Sequence, residues 1–154
     1  TINMADIVQS VILQNYPQAE KKNQTVFFDP PDHSCLIKAD ENALREIIDN
    51  ILNNAIKYSS GGSVIRVKIS PMNEKVRLSI TDQGPGLSED DLEHLFKKFR
   101  KLSAKPTGGE LSTGLGLSIV KKLTDMHDGK VWAESHSGSG STFHVEFPRY
   151  FSAD

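Results

Sequence analysis

The chain has 154 residues, 37% of them hydrophobic and 25% charged, with a formal net charge of −2. That length gives one domain, residues 1–154, able to bury its own core, and that charge balance argues against a nucleic-acid coat or an anionic membrane as the main partner. No apolar run approaches the ~20 residues of a membrane span and the N-terminus has no signal-peptide pattern, while the single cysteine, Cys35, excludes an internal disulfide or a cysteine-based metal cluster and suits a reducing, cytoplasmic setting.

In chain order, Met4, Ile7, Val8, Val11 and Ile12 have helical spacing. The spacing predicts a first helix of about four turns, with Thr1 already inside it and Pro17 weakening the pattern beyond Tyr16. Thr25 to Phe28 and Leu36 to Lys38 read as two short strands around the Asp29-Pro30-Pro31-Asp32 turn. Asp40 is then placed to cap a helix running to Tyr58. Its apolar residues Leu44, Ile47, Ile48, Ile51, Leu52, Ala55 and Ile56 form a core-facing stripe. Ser63–Ser70 and Val76–Asp82 alternate as a hairpin of half-buried strands, and Lys130–Ser135 with Thr142–Phe147 make a second one across a serine-glycine loop. Between the hairpins lie a short helix opened by Ser88 and Asp91 in capping-box spacing, a flexible stretch from Lys101 to Thr113, and a helix from Leu115 to His127. Strands with helices gathered between them predict a two-layer α/β sandwich, with a mixed sheet packed on about three helices.

Three features carry chemistry. Glu46, Asn50, Asn54 and Lys57 fall together on one flank of the central helix, with Tyr58 at its edge. Solvated flanks are usually Glu/Lys mixtures, and asparagine is a modest helix former. Amide oxygens four residues apart beside a lysine suit a hydrated divalent cation and a polyphosphate. Second, the strand ending at Asp82 runs straight into Gln83-Gly84-Pro85-Gly86, so a carboxylate able to accept from an exocyclic amine is followed by glycines that let backbone pass close to a ligand. A plain turn is the alternative. Third, Gly108 to Leu117 enters a helix through glycines, which suits a phosphate at a helix N-terminus, with a flexible hinge as the alternative. It is neither a Walker loop nor a dinucleotide fingerprint. Lys97, Lys98, Arg100, Lys101 and Lys105 form a basic cluster beside it, without the base-stacking aromatics a nucleic-acid surface would need.

Taken in order, the asparagine helix, DQGPG, the Phe96-Lys97-Lys98-Phe99 segment, STGLGLSIVKKL and GSGSTFHVEFP resemble the N box, glycine boxes and F box of the catalytic ATP-binding domain of sensor histidine kinases, over essentially the whole chain. The resemblance implies a Bergerat-type fold with a flexible ATP lid and a site for ATP and Mg²⁺. Asn54 would hold the metal, with Asn50 on the metal or the phosphates. Lys57 would touch phosphate, Tyr58 would pack on the purine, and Asp82 would accept from the adenine amine with Thr142 nearby through water. Gly84, Gly86, Gly114 and Gly116 would shape the pocket and lid. The Leu115 and Leu117 amides would lie near the phosphates, and Arg100 or Lys101 would reach the γ-phosphate.

Where the related gyrase, Hsp90 and mismatch-repair ATPases carry a water-activating glutamate four residues before the metal-binding asparagine, this chain has Asn50, so no general base for hydrolysis is evident. None of His33, His94, His127, His136 and His144 lies in a phosphoacceptor setting. The implied partners are therefore a histidine-containing dimerisation domain of the same kinase and a downstream response regulator, with no nucleic acid and no direct membrane contact. The domain itself is expected to be a monomeric piece of a longer kinase. The competing readings are a degenerate nucleotide-binding scaffold and an anti-sigma-type serine kinase.

Overall fold

A computed structural model describes residues 1–98, 101–102, 106–108, 114–135 and 138–152. Its elements are β1 (Ile2–Asn3), α1 (Met4–Lys21), β2 (Thr25–Phe28), β3 (Leu36–Ile37), α2 (Glu41–Tyr58), β4 (Val64–Pro71), β5 (Lys75–Asp82), α3 (Glu89–Glu93), α4 (Gly116–Met126), β6 (Lys130–Ser135) and β7 (Ser141–Pro148). A five-stranded sheet of order β2-β4-β5-β7-β6 forms one layer and the helices the other. Only the β2–β4 pair is parallel, so the sheet is mixed as expected.

The alternation read from sequence decides which face is covered. Ile65, Val67 and Ile69 of β4, Val76, Leu78 and Ile80 of β5, and Phe143, Val145 and Phe147 of β7 are all buried. They pack under the α2 stripe, where Leu44, Ile47, Ile48, Ile51, Leu52 and Ile56 are each at most 2% exposed. At roughly 1.5–3 kcal/mol per fully buried aliphatic side chain, α2 is the element the core is built on. The polar flank of α2 is thereby forced to the rim of the sandwich, which is where a site can open.

One expectation is corrected at the N-terminal side. Thr1 is not within a helix: Ile2–Asn3 is extended and pairs antiparallel with Leu36–Ile37 in a separate two-stranded sheet, and Asn3 caps α1 by accepting from the Ala5 N–H at 3.3 Å. The two short strands expected after α1 are both present, in different ladders. β2 joins the main sheet at its edge while β3 pairs with β1. Pro17 lies inside α1, which continues to Lys21. Burial pushes the Cys35 thiol up, against the lowering effect of the Arg149 guanidinium.

Candidate functional site

Asp82 ends β5 on the sheet's inner face and is 5% exposed. Its Oδ1 accepts from the Gly84 N–H at 2.9 Å and the Ser141 N–H at 3.3 Å, and its Oδ2 accepts from the Ser141 hydroxyl at 2.7 Å. A carboxylate offers about four acceptor positions. Three are used by the described residues, so one on Oδ2 remains for an incoming donor. Asp82, Ser141, Asn54, Tyr58, Pro85, Gly86, Leu87 and Leu102 line one cleft between α2 and the end of β5. Its volume of about 10 Å³ is that of a single water, with Leu87 from the loop after β5 and Leu102 from beyond α3 among its walls.

Thr142 is placed elsewhere than expected. Asp82 faces Ser141 in the β5–β7 register and Thr81 faces Thr142, so strand alternation puts Thr142 on the opposite face of the sheet, its hydroxyl 3.0 Å from that of Thr81. Ser141 is the hydroxyl beside Asp82. The signal was present in the sequence, since Phe143, Val145 and Phe147 point inward and two residues earlier in that alternation is Ser141.

Backbone proximity explains two of the glycines. A Cβ at Gly84 would lie 2.7 Å from the Tyr58 carbonyl oxygen and 3.1 Å from Asp82 Oδ1, so only glycine lets the loop after β5 cross the end of α2. A Cβ at Gly140 would lie 2.2 Å from the Asp82 carbonyl oxygen, and its φ is +85°. Ser135 holds these walls together: its hydroxyl accepts from the Leu87 N–H at 2.6 Å and donates to the Gly140 carbonyl at 3.0 Å.

Asn50 and Asn54 project from successive turns of α2. Asn50 Nδ2 donates to the Glu46 carbonyl at 2.8 Å, which turns Oδ1 toward α4, 2.9 Å from where a Cβ at Gly116 would stand. Helix α4 opens at Leu115 without a side-chain cap. The Leu115 side chain has no acceptor to offer the first-turn N–H groups, and a helix start entered through glycines is of the kind that suits an anion. Amide oxygens of Asn50 and Asn54, one aimed at that helix end by its own hydrogen bond, form a hard neutral donor set that fits a hydrated Mg²⁺.

Lys57 is half-buried and pairs with no carboxylate among the described residues. The helix end that carries Lys57 and Tyr58 is held by groups with no local sequence signal. Lys22 Nζ donates to the Ile56 and Lys57 carbonyls at 2.8 and 3.2 Å, and Gln24 Nε2 to those of Ile56 and Ser59 at 3.1 and 3.0 Å. From the lid side, Thr107 donates its N–H to the Lys57 carbonyl at 2.8 Å and its hydroxyl to that of Ser59 at 2.6 Å. Lys101 is exposed, Gly114 has a φ of +76° and Gly86 one of +84°, and Leu115 and Leu117 flank Gly116 at the start of α4. Arg100, with Phe99 and residues 109–113 of the second glycine loop, lies outside the described residues.

Residues 39–150 match the family described as histidine kinase-, DNA gyrase B-, and HSP90-like ATPase. The adaptive-response sensory kinase SasA of Synechocystis sp. is 37% identical over 149 residues, which are 96% of this chain and 38% of that protein. The chain therefore spans well under half the length of this curated relative. The solved catalytic domain of histidine kinase ThkA, nucleotide-free, superposes with a TM-score of 0.83 at 28% identity, covering 96% of this chain and 95% of that one. Full-length ShkA, solved in complex with AMPPNP, gives 0.82 at 29% identity over 99% of this chain and 31% of its own.

Proposed function

The chain belongs to the histidine kinase-, DNA gyrase B- and HSP90-like ATPase family, and from that premise we propose that it binds Mg·ATP and donates the γ-phosphoryl group to a histidine on a separate dimerisation domain of the same kinase, for onward transfer to a response regulator. The observation that carries the reading is the buried Asp82 carboxylate, with one acceptor position left over, in the same cleft as Asn54 and Tyr58. The exocyclic amine of adenine donates to that position, the purine lies against Tyr58, and Leu102 must withdraw to admit it. The phosphates then run toward the start of α4, with Lys57 and Lys101 or Arg100 as counter-charges. Asn54, with Asn50, would hold Mg²⁺, whose chemistry is to neutralise charge on the phosphate oxygens.

Phosphoryl transfer is mostly positioning and charge neutralisation. Asn50 occupies the place where a hydrolase of this family needs a carboxylate, so the γ-phosphate is held for a nucleophile other than water. No described helix is long and apolar enough to cross a membrane, and a monomeric domain in the cytoplasm is part of the same proposal.

The test is incubation of this chain with γ-labelled ATP and Mg²⁺, alone and then with the matching histidine-bearing domain. Nucleotide should bind in both cases, label should move only to the added domain, and slowly, since the tether that raises effective concentration is missing. Label on the chain itself, or brisk phosphate release without a partner, would overturn the proposal. A second expectation concerns Gly116→Ala. The atom in its way is the end of a flexible side chain, and alanine is the better helix former by up to ~1 kcal/mol, so the melting temperature should hold or rise. The displaced Asn50 amide should nevertheless weaken Mg·ATP binding roughly tenfold, about 1.4 kcal/mol. Unchanged affinity would remove Asn50 from the site.

A further inference from the structure

Asn50 and Gly116 meet at one end of the α2–α4 contact, and a second pair meets at the other. His127, the residue that closes α4, has Nδ1 2.7 Å from the Leu123 carbonyl oxygen and Nε2 3.2 Å from the backbone nitrogen of Asp40. A carbonyl can only accept and a backbone N–H can only donate. Nδ1 therefore carries the proton and Nε2 is the acceptor, so both bonds require the neutral Nδ1–H tautomer. Asp40 in turn caps α2, its Oδ2 accepting from the Ala43 N–H at 2.9 Å. The ring is set edge-on to Phe147 of β7, centroids 6.5 Å apart at 85°, which fixes its plane.

The geometry points to His127 as a positioning residue for the nucleotide site, a role that rests on the Mg·ATP reading above. The two helices run antiparallel, with positions 40 and 127 together at one end and 50 and 116 at the other. At about 1.5 Å per residue the span from 40 to 50 is ~15 Å and that from 116 to 127 is ~16 Å. Matched spans, held at one end by the two bonds of His127 and closely packed at the other where Asn50 meets Gly116, limit how far α4 can slide along α2. The Gly116 and Leu117 amides then stand at a fixed height opposite Asn50. Without the pin at His127, α4 keeps its packing through Val120 but samples other registers. Nucleotide affinity falls in proportion to the fraction of molecules left in the competent one.

Two isosteres separate this role from simple capping of α4. His127→Gln places an amide oxygen near the position of Nε2 and keeps an acceptor for Asp40. His127→Asn places an amide near Nδ1 and keeps only the bond to Leu123. The expected result is that the Gln variant binds Mg·ATP within about twofold of wild type. The Asn variant should bind it roughly fivefold more weakly, the size expected from one net hydrogen bond.

In nucleotide-free ¹⁵N–¹H spectra, the Gly116 and Leu117 amides and the Asn50 side-chain amide should shift in the Asn variant and stay in the Gln variant, while wild-type His127 shows a protonated Nδ1. Equal behaviour of the two variants, a better Asn variant, or a wild-type ring protonated at Nε2 would each overturn the positioning role. Failure of wild type to bind Mg·ATP would count against the nucleotide site alone, since the nucleotide-free spectra decide the pin independently.

Discussion

Asp82→Asn is expected to keep its fold and lose nucleotide binding by about a hundredfold or more, since a bond to a charged group is lost and a buried donor is left facing another donor. The structure explains why the two effects separate. Asparagine Oδ1 can keep both backbone donors, Gly84 and Ser141, that Asp82 Oδ1 now holds. Its Nδ2 then stands where Oδ2 was, and the Ser141 hydroxyl, which donates there now, can rotate to accept from it. Every protein partner is satisfied, so the unfolding midpoint should barely move. The side turned to the cleft has changed from acceptor to donor, and an adenine amine meets N–H with N–H. Titration with Mg·ATP and a urea melt on the same sample check it; near-native affinity in a folded variant would take Asp82 out of base recognition.

Gly140→Ala should be the most damaging single methyl in the site. Its φ of +85° alone costs an L-residue about 1–2 kcal/mol. The new Cβ would also sit 2.2 Å from the carbonyl oxygen of Asp82, a backbone atom locked in the β5–β7 ladder. A few kcal/mol more are needed to move it, so the total should reach about 4 kcal/mol, with Asp82 dragged off Ser141. Gly138 supplies the control, since its φ is +86° but nothing lies within 4 Å of where its Cβ would stand. Gly138→Ala should lose only the backbone share. Equal losses in urea unfolding for the two variants would show that the contact with Asp82 carries no weight.

The sequence made the sandwich legible because nearly every element is amphipathic in its own period: the α2 stripe and the inward residues of β4, β5 and β7 bury as their spacing predicts. The site was legible where chemistry is local, in the Asn50–Asn54 flank and the Asp82–Gly84 turn. It was less so where chemistry depends on pairing across the chain. Ser141 lies opposite Asp82 only once the β5–β7 register is known, and without that register Thr142, one residue along, is an equally plausible hydroxyl. Lys22 and Gln24 act on carbonyls more than thirty residues away. No window of sequence contains both partners. β1 was hidden for another reason: two residues have no periodicity to read, and their pairing with β3 is what makes them a strand.

That short strand also brings the backbone at Ile2 close to that at Tyr150. Leu36–Ile37 has β1 along one edge, and on the other the Tyr150 N–H donates to the Leu36 carbonyl at 2.8 Å. Two strand spacings, about 10 Å, therefore separate the backbone at Ile2 from that at Tyr150, a gap some three extended residues could bridge. Traction applied between those two points would fall first on the two flanking pairings of β3, peeling them in turn, and would leave the five-stranded sheet and the helix packed on it unloaded until both had given way.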